Sequence, residues 1–113
     1  MVDFTRSSLS IIPDVEGDDL ETLLNGAIDW NLEFHNHQLV LRKTFLFAEI
    51  GDEERFLLAV SDLADRYNHH PVVVIDWCKL DLYWSDNHSR TIDKKNFELA
   101  LKTNLIFNSK NRV

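Results

Sequence analysis

Apolar residues recur at helical spacing in three segments of the chain. From Asp18 to Ile28, acidic residues gather at the N-terminal end, where they favour a helix. The segment that begins at Gly51 and Asp52 carries the clearest apolar stripe: Phe56, Ala59, Val60, Leu63, Ala64 and Tyr67. A last helix is predicted from about Asp93 to Phe107. Its inward positions are expected to be Phe97, Ala100, Leu101 and Leu105.

Between these segments, apolar and polar residues alternate as they do in β-strands. Leu32 and Phe34 alternate with polar neighbours, and residues 35–38 are suited to a turn. On the next strand Lys43 interrupts an apolar face made of Leu39, Leu41, Phe45 and Phe47. After Pro71, residues 72–75 are β-branched throughout, and a further strand follows with Leu80, Leu82 and Trp84 on one face. The pattern predicts two strand pairs.

The predicted order of elements is α-β-β-α-β-β-α, an α+β arrangement. We expect a four-stranded antiparallel sheet with three helices on one face. The 113 residues suffice for one core, so residues 1–17 are interpreted as an irregular lead-in and residues 18–113 as a single domain. Because helices are expected to cover only one face of the sheet, more apolar side chains are present than one domain can bury. These side chains predict pairing with a second copy of the chain. The surplus consists of Tyr83, Trp84, Phe107 and residues 72–75.

Composition argues against several classes of partner. Twelve basic against nineteen acidic residues give a net charge of −7, and an acidic surface repels phosphate backbones and anionic lipids. Nucleic acid and membranes are therefore not expected as partners, and no apolar run approaches the roughly 20 residues of a membrane span. The single cysteine, Cys78, cannot form an internal disulfide, and no basic-then-apolar leader precedes the domain. We expect a reducing, cytoplasmic setting.

The sequence Asn68-His69-His70-Pro71 joins the second predicted helix to the third strand. Proline fixes its own φ and drives His70 out of the helical region, so the helix should end at about His69. Because histidine donates and accepts protons near neutrality, a fixed pair suits acid–base chemistry on a small substrate. Adjacent histidines also occur as ordinary polar residues at a helix end, and that interpretation stays open.

A metal centre is the competing interpretation of the histidines, which are His35, His37, His69, His70 and His88. His35 and His37 share one strand face, and imidazoles with carboxylates suit zinc or iron. The adjacent rings of His69 and His70 diverge, however, and a hairpin tip commonly carries exposed polar residues. We therefore predict no metal site.

One set of residues has the spacing of a known family: Trp30, Arg42, Phe45, Phe47, Phe56, the Asn68–Pro71 corner, Trp77, His88 and residues 96–100. Over roughly residues 18–107 the chain resembles the pterin-4a-carbinolamine dehydratases. The resemblance implies dehydration of 4a-hydroxytetrahydropterin to the quinonoid dihydropterin, without a metal or bound cofactor. It also implies a homodimer or homotetramer, and one relative serves as a dimerising partner of a transcription factor.

Carried over position by position, the resemblance implies that His69 and His70 act as general acid and base. One proton goes to the departing 4a-hydroxyl and one leaves N5. Asp65, one turn before His69, would orient that ring, and Asn68 and Pro71 complete the substrate-binding corner. Because Pro71 holds His70 extended, His70 is expected to handle protons first and His69 second.

Downstream of the corner the chain departs from the family pattern. The third histidine of the family falls on Asn87, with His88 one place later, and a one-residue bulge would bring His88 into the site. The acidic residue that begins the last helix of the family is Asn96 here, which makes Asp93 the candidate carboxylate. His88 is the third catalytic candidate, and Asn87, Asp93 and Asn96 are substrate-binding candidates.

Two functions follow as alternatives. The first is the dehydratase, favoured by Asp65 and the intact corner. The second is a non-catalytic binding or dimerisation module that keeps the fold, favoured by Asn96 and the displaced third histidine. Convergence of His69, His70 and His88 on one concave pocket would distinguish them, because catalysis requires it and a scaffold does not.

Overall fold

The computed structural model describes residues 25, 27–86 and 92–110. In chain order its elements are β1 (Asn31–His35), β2 (Gln38–Leu46), α1 (Asp52–Tyr67), β3 (Val72–Asp76), β4 (Lys79–Ser85) and α2 (Lys94–Lys110). The strands form one antiparallel sheet in the order β1-β2-β4-β3. The predicted α+β class and the four-stranded antiparallel sheet are confirmed.

The described part of the chain contains two helices where the sequence predicts three. The first predicted helix, Asp18–Ile28, falls almost entirely outside the described residues, as does the lead-in of residues 1–17. Asn25 is helical, and residues 27–30 form a turn. Both described helices contribute to one core on the same face of the sheet. Neither is long and apolar enough to cross a membrane.

The first hairpin closes within residues 35–38, as predicted, and the structure shows that two residues with positive φ form its loop. Asn36 (φ 52°) and His37 (φ 66°) form the two-residue loop, and two such residues give a turn whose twist matches that of the strands. The register pairs Leu32 with Leu41, and both side chains are buried. The turn therefore sets which residues of both strands face the core.

Aromatic residues fill much of the core between sheet and helices. The ring centroid of Phe45 lies 4.8 Å from that of Phe56 and 5.0 Å from that of Phe107. Full burial of a phenylalanine side chain, as at Phe45 and Phe56, contributes roughly 1.5 to 3 kcal/mol. Two residues of the expected apolar surplus belong to the core instead: Trp84 is fully buried, and Phe107 is half-buried against the core. That expectation was wrong because α2 covers Trp84, and Thr103 accepts its indole N–H at 3.1 Å.

Lys43 breaks the apolar face of β2, as the sequence shows, and the structure supplies its partners. The ammonium group donates to Asp29 and, at 2.9 Å, to Oδ1 of Asn104. It also lies 4.9 Å from the ring centroid of Phe45. The same Asn104 oxygen accepts the indole N–H of Trp30 at 3.0 Å. A charge beside the core is tolerated here because it is paired.

The start of α1 agrees with the prediction. Gly51 has a φ of 99°, which glycine adopts without steric cost, and its N–H donates to Oε1 of Glu53 at 2.6 Å. The carboxylate of Glu53 thus supplies an acceptor to the chain just before the helix. Four residues of the predicted stripe are buried: Phe56, Val60, Leu63 and Ala64.

The inward face of α2 differs in part from the prediction. Phe97 and Ala100 are fully buried as expected, but Leu105 is 60% exposed. Asn96 and Thr103 are fully buried instead, and Oγ1 of Thr103 donates to a backbone carbonyl one turn earlier at 2.6 Å. Polar residues with satisfied hydrogen bonds occupy part of this face, so apolar spacing alone misplaces it.

Candidate functional site

The end of α1 fixes the backbone of the histidine corner. Asn68 adopts the left-handed conformation with φ 49°, and its N–H donates to the carbonyl of Asp65 at 3.2 Å. The N–H of His69 donates to the carbonyl of Ala64 at 3.0 Å. These two bonds form a Schellman motif, so the helix ends at Tyr67, slightly before the predicted end. The corner lies where α1 meets β3, as predicted.

His69 is half-buried and is held by two contacts. Its Nε2 lies 2.8 Å from Oδ1 of Asn96. Its ring stacks on the indole of Trp84, with centroids 6.0 Å apart and an interplanar angle of 15°. Since Trp84 and Asn96 are both fully buried, the ring is oriented by rigid neighbours. Such a fixed imidazole suits directed proton transfer.

Asn96 connects His69 to a carboxylate that the sequence did not single out. The amide nitrogen of Asn96 donates to Oδ1 of Asp86 at 2.7 Å and to the carbonyl of Asp93 at 3.2 Å. The other carboxylate oxygen of Asp86 accepts the N–H of Asp93 at 2.7 Å. Asp86 directly follows β4, and no periodicity or motif marks it. Its contact with α2 exists only in the folded chain.

Asp93, the expected carboxylate, has a different role in this geometry. Its carboxylate accepts the backbone N–H of Lys94 at 3.1 Å, at the start of α2. Only its backbone carbonyl contacts Asn96. The carboxylate joined to Asn96 is therefore that of Asp86 rather than that of Asp93.

His70 pairs with Asp65, which the sequence assigned to His69. Nε2 of His70 lies 3.0 Å from Oδ1 of Asp65, and the side chains are 62% and 72% exposed respectively. The expected pairing was wrong because the left-handed residue after α1 turns His69 toward α2. Screening by water makes such an exposed pair a weak constraint.

The other predicted site residues divide into described and undescribed positions. Asn68 is exposed and shapes the corner through its backbone, and Pro71 is half-buried just before β3. Asn87 and His88 lie outside the described residues. Among the described residues, the structure brings five of the predicted site residues to one region: Asp65, His69, His70, Asp93 and Asn96. The third histidine stays a prediction.

The hairpin histidines have surroundings of their own. Nε2 of His35 lies 2.7 Å from Oε1 of Glu33, and its ring meets that of Tyr83 edge-on with centroids 5.6 Å apart. His37 is exposed in the turn. Within residues 25, 27–86 and 92–110, no three His, Cys, Asp or Glu side chains are grouped so as to hold a metal ion.

The face of the sheet opposite the helices carries a charged network. Arg42 lies 3.5 Å from carboxylate oxygens of Glu33 and Asp81, and its guanidinium is 5.8 Å from the ring centroid of Tyr83. Burial alone would raise the pKa of the Glu33 carboxyl. The hydrogen bond with His35 and the charge of Arg42 outweigh burial and hold that pKa below its usual value.

Cys78 lies in the turn between β3 and β4, with a φ of 57°. Burial, followed by the nearby carboxylates of Glu53 and Asp52, raises the pKa of its thiol. Because the thiolate is the reactive form, the raised pKa makes Cys78 a poor nucleophile near neutrality.

Two cavities lie outside the histidine corner. The larger, about 690 Å³, opens between α1 and α2 and includes Arg66, Tyr67, Lys102 and Leu105 in its lining. The smaller, about 340 Å³, lies on the face of the sheet opposite the described helices, beside Val72, Val74 and Tyr83. His69 and His70 line neither of them.

Comparison with known proteins gives two findings. A family model described as pterin 4 alpha carbinolamine dehydratase matches residues 13–106. Among solved structures, the fold is similar to that of a transcriptional coactivator/pterin dehydratase from Brucella melitensis, with a TM-score of 0.65. The sequences are 15% identical, and the match covers 81% of this chain and 96% of that one. At this identity the likeness shows a shared fold.

Proposed function

Because the chain belongs to the pterin-4a-carbinolamine dehydratase family, we propose that it converts 4a-hydroxytetrahydropterin to quinonoid dihydropterin and water. In this reaction the C4a–O bond breaks, N5 loses its proton, and a double bond forms between C4a and N5. The leaving hydroxide takes up a proton and departs as water. No electrons are exchanged with a second reactant, so the catalytic task is two proton transfers.

The observation that carries the proposal is the placement of His69. Its ring is half-buried, stacks on Trp84 and is bonded through Nε2 to the buried Asn96. In the proposed reaction Nδ1, the other ring nitrogen, takes the proton from N5. A base held in one orientation contributes more than a freely rotating one, because its lone pair stays directed at the substrate.

His70 is the proposed donor of the proton to the departing hydroxyl. It neighbours His69 in the chain, and its Nε2 contacts Asp65. Because His70 is mostly exposed and His69 half-buried, we rank His69 above His70, the reverse of the order expected from the sequence. A contribution from His88 is retained as part of the proposal.

A direct dehydration assay tests this function. Purified protein is mixed with freshly generated 4a-hydroxytetrahydropterin, and formation of the quinonoid product is followed by absorbance. The wild type should accelerate the reaction well above buffer. The double variant His69→Asn/His70→Asn should approach the buffer rate while keeping the wild-type circular dichroism spectrum. His37→Asn, which alters an exposed histidine in the turn, is the matched control and should retain wild-type activity.

The alternative function is an assembly module, and one observation favours it. The edge strand β3 and the turn after it expose apolar side chains: Val72, Val74, Ile75 and Trp77. Such an edge is a template for pairing with another chain. A folded wild type that associates but does not accelerate dehydration would replace the enzyme proposal with this one.

The proposal includes a homodimer or homotetramer as the working form and a reducing, cytoplasmic setting. The exposed edge strand supports the first. The reducing, cytoplasmic setting rests on Cys78, which is the single cysteine of the sequence and so has no disulfide partner within it.

A further inference from the structure

Asp86 has no part in the proton transfers proposed above, yet it is hydrogen-bonded to the residue that holds His69. Its Oδ1 lies 2.7 Å from Nδ2 of Asn96. We propose that Asp86 is a positioning residue that acts through Asn96 to keep the proton of neutral His69 on Nε2 and the lone pair on Nδ1. Only the catalytic consequence of this inference rests on the proposed function.

Hydrogen-bonding capacity determines the direction of the network. An ionised carboxylate and a backbone carbonyl only accept hydrogen bonds. The groups nearest one end of the Asn96 amide are the carboxylate of Asp86 and the carbonyl of Asp93, so the NH₂ group must face them. Oδ1 of Asn96 then points the other way. It lies 2.8 Å from Nε2 of His69 and needs a proton there.

Burial makes the alternative orientation costly. Asn96 is fully buried, so an inverted amide would set its oxygen against the oxygens of Asp86 and Asp93 with no water to intervene. Asp86 is itself fixed, because its Oδ2 accepts the backbone N–H of Asp93. The carboxylate of Asp86 and the carbonyl of Asp93 thus determine which ring nitrogen of neutral His69 carries the proton.

The network also accounts for a departure from the family pattern. Position 96, acidic in the family, carries an amide here, and a carboxylate stands instead at Asp86. The negative charge therefore lies one hydrogen bond further from the imidazole of His69 than a carboxylate at position 96 would. With the two groups exchanged, a carboxylate at 96 still accepts from Nε2 of His69, and an amide at 86 still accepts the N–H of Asp93 while donating to residue 96. Only the longer hydrogen bond to the Asp93 carbonyl is lost.

The variant Asp86→Asn tests the inference. Its new amide must still accept from the N–H of Asp93, which turns its NH₂ toward Asn96. Because the contact between Asn96 and residue 86 is 2.7 Å and that with the Asp93 carbonyl is 3.2 Å, the closer contact should prevail and reverse the Asn96 amide. Nε2 of His69 would then face a donor, so most neutral His69 should carry its proton on Nδ1. The double variant Asp86→Asn/Asn96→Asp should return the proton to Nε2. The matched control is Asp93→Asn, whose carboxylate contacts only the Lys94 N–H among the described bonds and should leave the tautomer unchanged.

Nitrogen-15 NMR of the histidine rings, at a pH where His69 is neutral, reads the tautomer without substrate. The expected series is Nε2–H in the wild type, Nδ1–H in Asp86→Asn, and Nε2–H again in the double variant and in Asp93→Asn. A wild type that is not Nε2–H overturns the inference, and this reading does not depend on any variant folding. An unchanged tautomer in Asp86→Asn, a change in Asp93→Asn, or no return in the double variant also overturns it.

The dehydration assay separates this inference from the proposed function. Loss of the hydrogen-bond partner that orients a metal-bound histidine typically costs about tenfold to a hundredfold. Since Asp86 is proposed to orient His69 in the same way, kcat of Asp86→Asn should fall by a factor of this order and recover in the double variant. If the tautomer follows the expected series while the wild type is inactive, the positioning role stands and the dehydratase proposal fails. If the wild type is active and kcat does not follow the tautomer, the inferred role of Asp86 in catalysis is wrong.

Discussion

At the scale of single residues, the chain places charged and polar side chains where each has a specific partner. Lys43 interrupts an apolar strand face, and the structure pairs it with Asp29 and Asn104. The histidine pair was predictable from its motif, but Asp86 was not. A motif records neighbours along the chain, whereas Asp86 meets Asn96 only after β4 and α2 have packed together.

Glu33 gives a prediction for acid stability. Its pKa in the folded state lies below the usual value of 4.5, owing to His35 and Arg42. A lowered folded-state pKa stabilises the protein above the unfolded-state value, and this contribution disappears as the pH falls through the folded-state value. Glu33→Gln should therefore be less stable than the wild type at pH 7. The difference should shrink as the pH falls below 4.5.

Urea unfolding of both proteins across this pH range measures the effect. Glu49→Gln, at an exposed position, controls for the loss of one negative charge. Stability curves of Glu33→Gln and wild type that stay parallel below pH 4.5 would contradict the assignment of the lowered pKa to the folded state.

At the scale of elements, helices and strands with clean periodicity were predictable and faces with buried polar residues were not. Helix α1 begins at Asp52, as Gly51 and Asp52 predict, and its apolar stripe follows. The inward face of α2 includes Asn96 and Thr103, whose hydrogen bonds make their burial possible, and so Leu105 was placed inward wrongly. Hydropathy cannot reveal a polar side chain whose partner lies on another element.

Asn68 gives the prediction at this scale. Its left-handed conformation ends α1 and turns His69 toward Asn96. Asparagine and glycine tolerate this conformation better than other residues, so Asn68→Ala should lower the free energy of unfolding by about 1 to 2 kcal/mol. Asn68→Gly is the matched control and should stay close to the wild type. Urea denaturation measures both. Equal stability of the alanine and glycine variants would show that the cap does not depend on this conformation.

At the scale of the whole molecule, the described helices cover one face of the sheet, and the described part of the chain leaves an apolar edge. Of the apolar surplus predicted from the sequence, Val72, Val74 and Ile75 are exposed on β3, and the turn after β3 adds Trp77, which is 79% exposed. Trp84, expected in the same surplus, belongs to the core. The strand run 72–75 was recognisable as β-structure, but its place at the edge depends on the pairing order β1-β2-β4-β3, which periodicity does not encode.

Association through β3 is the prediction at this scale. The unpaired backbone groups of an edge strand favour a second strand, and a charge on that edge opposes it. Val74→Lys should weaken self-association by at least about tenfold, which corresponds to roughly 1.4 kcal/mol. Phe34→Lys, on the opposite edge strand, is the matched control and should associate like the wild type. Analytical ultracentrifugation at micromolar concentration measures the self-association of the wild type and of both variants. A monomeric wild type, or dissociation by Phe34→Lys alone, would contradict pairing through β3.

The comparison that bears most directly on the proposed proton chemistry is kcat/KM for dehydration in the wild type, His69→Asn and His70→Asn. General acid–base catalysis typically contributes about 10²- to 10⁴-fold. With His69 bonded to Asn96 and His70 largely exposed, the loss in His69→Asn should fall in that range and exceed the loss in His70→Asn. An active wild type whose rate is unchanged in His69→Asn would contradict the account.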